Sequence, residues 1–284
     1  MRMFLSSLLL CAAAAVSAPA RAWEDGMTPF VVSPDAVVER MLYLAQPKAG
    51  ERLVDLGSGD GRIVIEAARR FGAKGLGVDI DPKLVALARE NARLAGVESL
   101  ASFEVRDLFE TDLHGVSVVT MYLLPEVNLQ LLPRLIDQLK PGARIVSHDY
   151  DLGPWPFDEM IELRLAEKMV GPLGRSRIFL WVVPGDARGR WVADLPEAGG
   201  RWQFDIAQKF QMLDVDARAG SSVMVVRGAK LLGEEIRLAV TGAVGGKGTN
   251  VLFRGRLAGG RIEGEARVSD GDRARIVPWT ASRQ

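Results

Sequence analysis

The feature that most constrains the fold is an alternation of strand-like and helix-like segments that stops near Pro184. Between Arg52 and His148, short apolar runs alternate with segments whose apolar residues recur at helical spacing. Such alternation is typical of βαβ units, which build a parallel sheet. After Pro184 the helical spacing ends and glycines become frequent. The sequence therefore predicts an α/β domain followed by a domain of another class.

The α/β part is predicted to contain five parallel strands and an antiparallel pair at one edge. Ser33 is predicted to be the N-cap of a first helix with Pro34 at its first position. Pro133 must either kink a helix over 125–138 or mark its start. The runs 160–167 and 175–183 lack a helix-length connection, which indicates two antiparallel strands. The parallel strands are predicted at 52–56, 75–80, 100–105, 116–121 and 143–148.

The C-terminal part is predicted to be a small antiparallel β domain. Gly245-Gly246 and Gly259-Gly260 separate runs of strand-forming residues, as in tight hairpins. A meander of this kind closes into a barrel or a sandwich. A packing role and a recognition role both remain open. The predicted strands are 202–210, 223–226, 236–240, 251–257, 262–268 and 275–279.

Composition excludes several classes of protein. The 284 residues include 36 basic and 36 acidic residues, so no net field points to nucleic acid or to an anionic membrane. The single cysteine, Cys11, excludes an internal disulfide and a cysteine-rich zinc site. Two histidines exclude a multi-histidine metal centre, and no metal is implied.

The N-terminus is predicted to be an export signal. Arg2 precedes the uncharged stretch 3–16, and Ala20-Arg21-Ala22 offers a cleavage site before Trp23. An uncleaved membrane anchor is the alternative, but the run is short for a bilayer span. We therefore expect a signal peptide at 1–22, an α/β domain at 23–184 and a β domain at 185–284. The mature chain is expected to be exported and periplasmic, with no transmembrane segment.

Three strand ends carry candidate binding residues. The loop Asp55–Gly61 follows the first strand, and each of its glycines lets the backbone approach a ligand closely. Asp79 ends the second strand, where a carboxylate can accept both hydroxyl hydrogens of a ribose. Asp107 follows the third strand. Taken singly, each feature has a simpler interpretation. The glycine loop could be only a tight turn, Asp79 could cap a helix, for which Asp81 is better placed, and Asp107 could be any loop carboxylate.

A nicotinamide site is the nearest alternative. It requires the spacing G-x-G-x-x-G, whose third glycine allows close packing of helix and strand. Here Gly57, Gly59 and Gly61 follow G-x-G-x-G, and Arg62 occupies the next position. The antiparallel edge pair also fits such a domain poorly. Nicotinamide binding is therefore the weaker interpretation.

Four segments resemble the motifs of class I, seven-β-strand S-adenosylmethionine-dependent methyltransferases. They are 54–62 (VDLGSGDGR), 77–82 (GVDIDP), 105–108 (VRDL) and 140–146 (KPGARIV). The segments 29–33 (PFVVS) and 124–126 (LPE), with Trp155, are similar to lysine methyltransferases of the ATP-synthase c-subunit and adenine-nucleotide-translocase type. The chain also resembles bacterial exported methyltransferase-like proteins.

The resemblance implies a Rossmann-like doubly wound sheet that binds S-adenosyl-L-methionine. It implies methyl transfer by in-line SN2 displacement to an unidentified protein or small-molecule acceptor, such as a protein lysine amine. His148 is expected to be structural. The implied donor-binding residues are Asp55, Gly57, Ser58, Gly59, Gly61, Asp79, Ile80, Asp107 and Leu108. The implied catalytic residues are Tyr122 and Glu126, and the implied acceptor contacts are Pro125, Asn128, Tyr150 and Trp155.

A binding protein that keeps the donor fold without catalysis is the alternative function. In that case the β domain would hold an envelope ligand.

Overall fold

The computed structural model describes residues 31–165, 168, 174–270 and 273–284. The predicted signal peptide, Pro29, Phe30 and the end of the predicted strand 160–167 lie outside the described residues. Val31–Gln284 forms one compact unit. Within the described ranges, no helix is long and apolar enough to cross a membrane.

The first half of the chain folds into a seven-stranded sheet with four helices, which confirms the predicted α/β class. The helices are α1 (Asp35–Ala45), α2 (Arg62–Phe71), α3 (Pro82–Leu94) and α4 (Pro125–Gln138). The strands are β1 (Arg52–Leu56), β2 (Lys74–Asp79), β3 (Ala101–Val105), β4 (Val118–Met121), β5 (Arg144–His148), β6 (Glu159–Arg164) and β7 (Arg175–Val182).

The strand order is β3-β2-β1-β4-β5-β7-β6. Strands β1 to β5 are parallel, whereas β7 runs antiparallel to both β5 and β6. The dinucleotide-binding order 3-2-1-4-5-6 places strand six directly beside strand five. Here β7 lies beside β5, so the predicted antiparallel edge pair is confirmed and the sheet differs from that of a nicotinamide enzyme.

Helices cover both faces of the sheet because alternate strand residues point to opposite faces. Leu53 and Val118 pack in one core with the buried sides of α1, α2 and α3. Val54 and Val119 pack in a second core with the buried side of α4. The doubly wound arrangement follows from this two-residue period.

The first helix begins differently from the sequence prediction. Pro34, not Ser33, is the N-cap of α1, and no side chain caps the helix. The Ser33 hydroxyl instead lies 2.9 Å from Nδ1 of His148, at the end of β5. Pro133 lies inside α4, which begins at Pro125, so it does not mark the start of that helix.

The second half forms a closed antiparallel barrel of eight strands. Its hairpin turns include Gly245-Gly246 and Gly259-Gly260, all four with positive φ. The six strands indicated by the sequence are present, but the sequence prediction missed β8 and β10. The strands are β8 (Gly189–Leu195), β9 (Gly200–Lys209), β10 (Met212–Ala219), β11 (Ser222–Leu232), β12 (Glu235–Val244), β13 (Lys247–Ala258), β14 (Arg261–Asp270) and β15 (Arg273–Arg283).

Aromatic side chains fill the barrel. Phe253 contacts the rings of Trp202, Phe204 and Trp279 at centroid distances of 5.1, 5.2 and 4.8 Å, and all are buried. Edge-to-face packing at these distances is favourable because the positive ring edge meets the negative ring face. The barrel interior is therefore a packed core.

The barrel contacts the sheet away from the carboxyl ends of the parallel strands. The backbone N–H of Gly185 donates to the carbonyl of Gly233 at 2.7 Å. A Cβ on Gly233 would lie 3.2 Å from Cα of Gly142, just before β5 begins. The turn between β11 and β12 thus lies at the amino end of β5.

Candidate functional site

The candidate donor residues meet at one edge of the sheet. Because β3, β2 and β1 are adjacent and parallel, their carboxyl ends lie side by side. The Asp55–Gly61 loop, Asp79 and Asp107 follow those ends in turn. The order reverses between β1 and β4, and open α/β sheets bind ligands at such a switch point.

The glycine loop is tight because its glycines occupy positions where side chains would not fit. Gly57 and Gly61 have φ of +78° and +81°, a region that other residues rarely adopt. A Cβ on Gly61 would lie 2.6 Å from the Phe103 ring, and one on Gly57 would lie 2.8 Å from Leu123. The two glycines therefore let the loop pack closely against Leu123 and Phe103.

Most of the loop's own N–H groups are bonded within the protein. Those of Gly57 and Ser58 both donate to the carbonyl of Val78 at 2.9 Å, and that of Gly61 donates to the carbonyl of Ser58 at 2.9 Å. The N–H of Gly59 donates to Asp79. The loop thus contributes shape more than hydrogen-bond donors.

The carboxylate of Asp79 is held by two backbone groups. Its Oδ2 accepts the N–H of Gly59 at 2.9 Å, and its Oδ1 accepts the N–H of Asp81 at 3.0 Å. Asp81 in turn caps α3 by accepting the N–H of Lys83 at 2.7 Å, as the sequence suggested. An ionised carboxylate has about four acceptor sites, so Asp79 keeps capacity for a ligand's hydroxyls.

A surface concavity of about 510 Å³ lies beside Asp79, at the ends of β2 and β3. Ile80 and Val105 line it, and they are 60% and 52% exposed. Asp107 stands at its rim, with Oδ1 accepting the N–H of Phe109 at 2.8 Å. Two exposed aliphatic side chains beside a carboxylate suit a flat heteroaromatic ring that carries an amino group.

Leu108 does not line this concavity, so its predicted contact with the donor stays a prediction. It begins a short 3-10 turn and packs, partly buried, against the core beneath α4. The sequence places Leu108 directly after Asp107 but does not show in which direction its side chain points. Val105, Arg106 and Glu110 line the concavity and were missed. Val105 could have been found from the sequence, because it is an apolar residue at the last position of β3.

Asp55 and Ser58 are buried beneath the loop. Asp55 accepts the hydroxyl hydrogen of Thr120 at 2.7 Å, yet burial raises its pKa to about 7. The Ser58 hydroxyl is buried and has no hydrogen-bond partner among the described residues. An unsatisfied buried hydroxyl is costly, so this atom is one a bound ligand could satisfy.

The candidate acceptor side is built around Tyr122, which follows β4. Its hydroxyl donates to Oδ2 of Asp149 at 3.2 Å. Burial, followed by the charge of Asp149, raises the pKa of Tyr122 well above its usual range, so the phenol keeps its proton. Asp149 itself is buried and has a φ of +65°, which is uncommon for a residue other than glycine.

Asp149 was missed by the sequence analysis, although a carboxylate directly after β5 was a usable signal. Its Oδ2 pairs with the buried ammonium of Lys168, which also donates to the carbonyl of Arg175 at 2.8 Å. Its Oδ1 accepts the N–H of Arg177 at 3.2 Å. No local pattern could have revealed Lys168, because the pairing spans 19 residues.

A chain of contacts, partly exposed at Arg62 and buried at His148, links the glycine loop to Tyr122. Arg62 donates to the carbonyl of Ser33 at 2.9 Å and pairs with Asp60 at 2.7 Å. The Ser33 hydroxyl bonds Nδ1 of His148, and Nε2 of His148 lies 2.9 Å from the Ser176 hydroxyl. The His148 ring packs on Tyr122 with 3.9 Å between ring centroids.

His148 is a structural residue, as the sequence suggested. Burial lowers its pKa to about 4, so the ring is neutral at pH 7. A neutral imidazole has one donor and one acceptor nitrogen, and two serine hydroxyls can satisfy both. It therefore fixes Tyr122 by packing without carrying a charge.

Trp155 lies away from the predicted acceptor wall. It is 1% exposed, its ring stacks on Phe210 at 5.5 Å, and its indole N–H donates to Gln211 at 2.8 Å. Both partners belong to the turn between β9 and β10 of the barrel. Trp155 therefore joins the barrel to the sheet, and its predicted contact with the acceptor stays a prediction.

Asn128 is also fully buried. Its amide donates to the carbonyls of Tyr150 and Asp151, both at 3.2 Å, and so supports the loop after β5. Pro125 and Glu126 are exposed at the start of α4, and Tyr150 is half-buried. Of the predicted acceptor residues, Tyr122, Tyr150, Pro125 and Glu126 remain near an accessible surface.

Comparison with known proteins identifies the fold and the reaction. A family model of the ANTKMT methyltransferase domain matches residues 55–159. A protein-lysine N-methyltransferase of Saccharolobus islandicus is 41% identical over 136 residues, which is 48% of this chain and 84% of that protein. The chain belongs to the ANTKMT methyltransferase family.

Two further relatives agree with this assignment. The mouse lysine N-methyltransferase of the ATP synthase c-subunit is 31% identical over 194 residues, covering 66% of this methyltransferase and 74% of the relative. The crystal structure of a Salinibacter ruber RNA methyltransferase with S-adenosyl-L-homocysteine is 48% identical, with a TM-score of 0.50. It covers 55% of this methyltransferase and 95% of that chain. The protein is an S-adenosylmethionine-dependent methyltransferase.

The described residues fit this cofactor. The Ser58 hydroxyl has no partner among the described residues, and the Ile80–Asp107 concavity suits the adenine. The cofactor supplies an electrophilic methyl group on a sulfonium sulfur. The protein must then hold donor and acceptor in line, because such positioning can account for about 7–11 kcal/mol of a barrier in the best cases.

Proposed function

We propose that this methyltransferase methylates the ε-amine of lysine in a protein. The observation that carries the proposal is the relation to the Saccharolobus protein-lysine N-methyltransferase, since this chain covers 84% of that protein at 41% identity. The mouse relative, also named as a lysine N-methyltransferase, supports the same acceptor class.

On the donor side, we propose that Asp79 accepts the ribose hydroxyls and that Ile80, Val105 and Asp107 hold the adenine. The two backbone hydrogen bonds to Asp79 support this role, because they hold the carboxylate before a ligand arrives. The exposure of Ile80 and Val105 supports the adenine assignment, because a bound ring would remove both from water.

On the acceptor side, we propose that Tyr122 orients the incoming amine. The amine must be neutral, so that its lone pair attacks the methyl carbon while the sulfur leaves as a thioether. The new ammonium then releases a proton to water or to an exposed carboxylate such as Glu126. The Tyr122 phenol, held by Asp149 and His148, offers its oxygen as an acceptor for an amine hydrogen.

The test is methyl transfer from radiolabelled donor to a bacterial cell-envelope extract, followed by complete hydrolysis of the labelled protein. The proposal predicts label in methylated lysine. Acetylation of the extract beforehand converts lysine amines into amides that are not nucleophilic and should abolish incorporation. Label found only in other residues, or incorporation that survives blocking, would contradict a lysine acceptor.

An RNA acceptor is the second candidate, and one observation favours it. The Salinibacter protein, titled an RNA methyltransferase, is 48% identical and is covered over 95% of its length. Treating the labelled products with ribonuclease or with protease separates the two candidates. Release of the label by ribonuclease alone would favour RNA.

We also propose that the protein works outside the cytoplasm after removal of residues 1–22. The uncharged stretch 3–16 and the small residues Ala20 and Ala22 support this proposal. N-terminal sequencing of the protein from its native cells should begin Trp-Glu-Asp-Gly. A chain that retains Met1 would favour a membrane anchor.

A further inference from the structure

Three cations face one another across neighbouring strands of the barrel. Lys230 of β11 lies opposite Arg237 of β12, which lies opposite Arg254 of β13. All three are exposed, whereas Leu238 and Phe253, the adjoining residues of β12 and β13, are buried in the barrel core. Like charges placed directly opposite each other destabilise a sheet.

Two more cations extend this row on the same outer surface. Arg267 of β14 lies opposite Leu252, which is two residues before Arg254 in β13 and faces the same side of the strand. Arg227 lies at the break in register between Val226 and Gly228 and is exposed. We call Arg227, Lys230, Arg237, Arg254 and Arg267 the basic wall.

Little negative charge compensates the basic wall. Among the described residues, the only ion pair made by its members joins Arg237 to Glu235 at 3.7 Å. Lys230 is close enough to Asp158 to influence the pKa of that carboxyl. Glu265 lies opposite Arg254 in the register, without forming an ion pair among the described residues. Arg227, Arg254 and Arg267 therefore form no ion pair with the residues that the structure describes.

The excess of positive charge is confined to the C-terminal part of the chain, which contains the barrel. Residues 185–284 contain 16 basic and 12 acidic residues, whereas residues 23–184 contain 18 basic and 24 acidic residues. The two parts have opposite net charge, which the balanced total conceals. The barrel surface therefore attracts anions although the protein is neutral overall.

A concavity of about 350 Å³ lies on the basic wall. Arg227 and Arg267 line it together with Thr241, Asn250 and Ser269, and four aliphatic residues, Ala239, Val240, Val251 and Leu252, complete the lining. A guanidinium group can bind two phosphate oxygens at once, and it is more weakly hydrated than an ammonium group. The concavity therefore offers two phosphate-binding groups beside an aliphatic surface.

Aliphatic side chains accompany these cations. Val225 is opposite Thr241 and 50% exposed, and Ile276 is opposite Arg267 and 66% exposed. In the described rows of β11–β14, no aromatic residue occupies these outward positions, so there is no platform on which nucleic-acid bases could stack. The barrel is closed, so it offers no free strand edge to a peptide.

We propose that the basic wall docks the protein on an anionic phospholipid surface, with Arg227 and Arg267 binding a headgroup phosphate. Dispersed arginines with interleaved aliphatic side chains suit a surface that presents many phosphates above an apolar layer. The barrel contacts the sheet at the amino end of β5, so the docking surface contains none of the proposed donor or acceptor residues. The inference does not depend on the identity of the methyl acceptor.

The test is sedimentation of the protein with vesicles of phosphatidylglycerol and phosphatidylcholine, or of phosphatidylcholine alone. The variant carries Arg227→Gln, Arg254→Gln and Arg267→Gln. Its matched control carries Arg201→Gln, Lys209→Gln and Arg218→Gln, three exposed cations of β9 and β10 with the same change in charge. Circular dichroism checks that both variants fold.

The wild type should bind the anionic vesicles, and added salt should weaken the binding. The basic-wall variant should lose on the order of a hundredfold in partitioning, since each cation near such a membrane contributes about 1 kcal/mol. The control should stay within about threefold of the wild type.

Five results would overturn the proposal. The first four are equal binding to neutral vesicles, an equal loss in the control, displacement by inorganic phosphate at the lipid-phosphate concentration, and stronger binding to an RNA oligonucleotide. The third result would assign the concavity to free phosphate, and the fourth would assign the wall to nucleic acid. Self-association that disappears in the basic-wall variant, without vesicle binding, would assign the wall to a second copy and would also overturn the proposal.

Discussion

The carboxylate of Asp79 accepts the backbone N–H of Gly59 at 2.9 Å, which joins the end of β2 to the glycine loop after β1. This contact ties two motifs that are 20 residues apart in the chain into one rigid edge. The second oxygen accepts the N–H of Asp81, so the plane of the carboxylate is fixed from both sides. The proposed donor site is therefore already ordered without a bound ligand.

The first prediction concerns Gly61. Gly61→Ala should destabilise the protein by about 2–4 kcal/mol, because the residue has positive φ and its Cβ would press on Phe103. Gly96→Ala is the matched control, since Gly96 has φ of +67° but open space around the added Cβ. It should cost about 1–2 kcal/mol. Equal losses in urea unfolding would show that the contact with Phe103 is unimportant.

The second prediction concerns the buried carboxyl of Asp55. Its pKa is about 7 in the folded protein against an ordinary value of 3.8. Between these values the folded state holds a proton that the unfolded state has lost, so this group lowers stability as pH rises. Asp55→Asn keeps an oxygen for the Thr120 hydroxyl and removes that effect.

The stability gain of Asp55→Asn over wild type should therefore grow from about pH 4 to pH 7 and then level off, reaching a few kcal/mol at most. Urea unfolding across that range measures it. A gain that is independent of pH would mean that Asp55 titrates normally.

The third prediction concerns His148, whose pKa is lowered to about 4 from 6.5. Between pH 6.5 and pH 4 the unfolded state binds a proton at this histidine that the folded state does not bind. His148 therefore lowers the stability of the protein as pH falls through this range. His148→Asn should lack that loss, while His114→Asn, at an exposed position, should retain it.

Asp55 and His148 act in opposite directions over the same pH range. The free energy of unfolding of the wild type consequently varies less with pH than either contribution alone. Each contribution must therefore be measured through its own variant. Parallel curves for the wild type and His148→Asn would show that His148 is not buried as a neutral ring.

The fourth prediction concerns Tyr122. Tyr122→Phe keeps the ring packed on His148 but removes the hydroxyl that bonds Asp149. Methyl transfer should slow by about tenfold to a hundredfold, because one oriented hydrogen bond is lost, and the dissociation constant for the donor should not change. Tyr43→Phe, on the exposed side of α1, should have no effect on either quantity. An unchanged rate in Tyr122→Phe would remove Tyr122 from the acceptor site.

The meeting of the candidate donor residues at one sheet edge could be predicted from sequence because its signals are local. Gly57, Asp79 and Asp107 each follow an apolar run, and the strand order brings such positions together. The destinations of Ser33 and Trp155 could not be predicted. Their partners, His148 and Gln211, lie 115 and 56 residues away, and only the folded chain brings them into contact.

In the barrel, too, features with local sequence signals were predicted and features without them were missed. Its glycine turns and strongly apolar strands were visible, whereas β8 and β10 were missed. In β10, Leu213 and Val215 alternate with two aspartates, and this short alternating pattern was not recognised as a strand. Closure pairs β8 with β15, which is the last strand of the chain, and no local pattern indicates that pairing.

The central claim is that the edge formed by β1, β2 and β3 binds S-adenosylmethionine, and Asp79 tests it most directly. Isothermal titration with S-adenosylhomocysteine should show that Asp79→Ala weakens binding by more than about tenfold, because a charge-assisted hydrogen bond contributes about 1.5–3 kcal/mol. Asp81→Ala, which removes only the cap of α3, should bind like the wild type. Unchanged binding in a folded Asp79→Ala variant, or a wild type that binds NAD instead, would contradict the account.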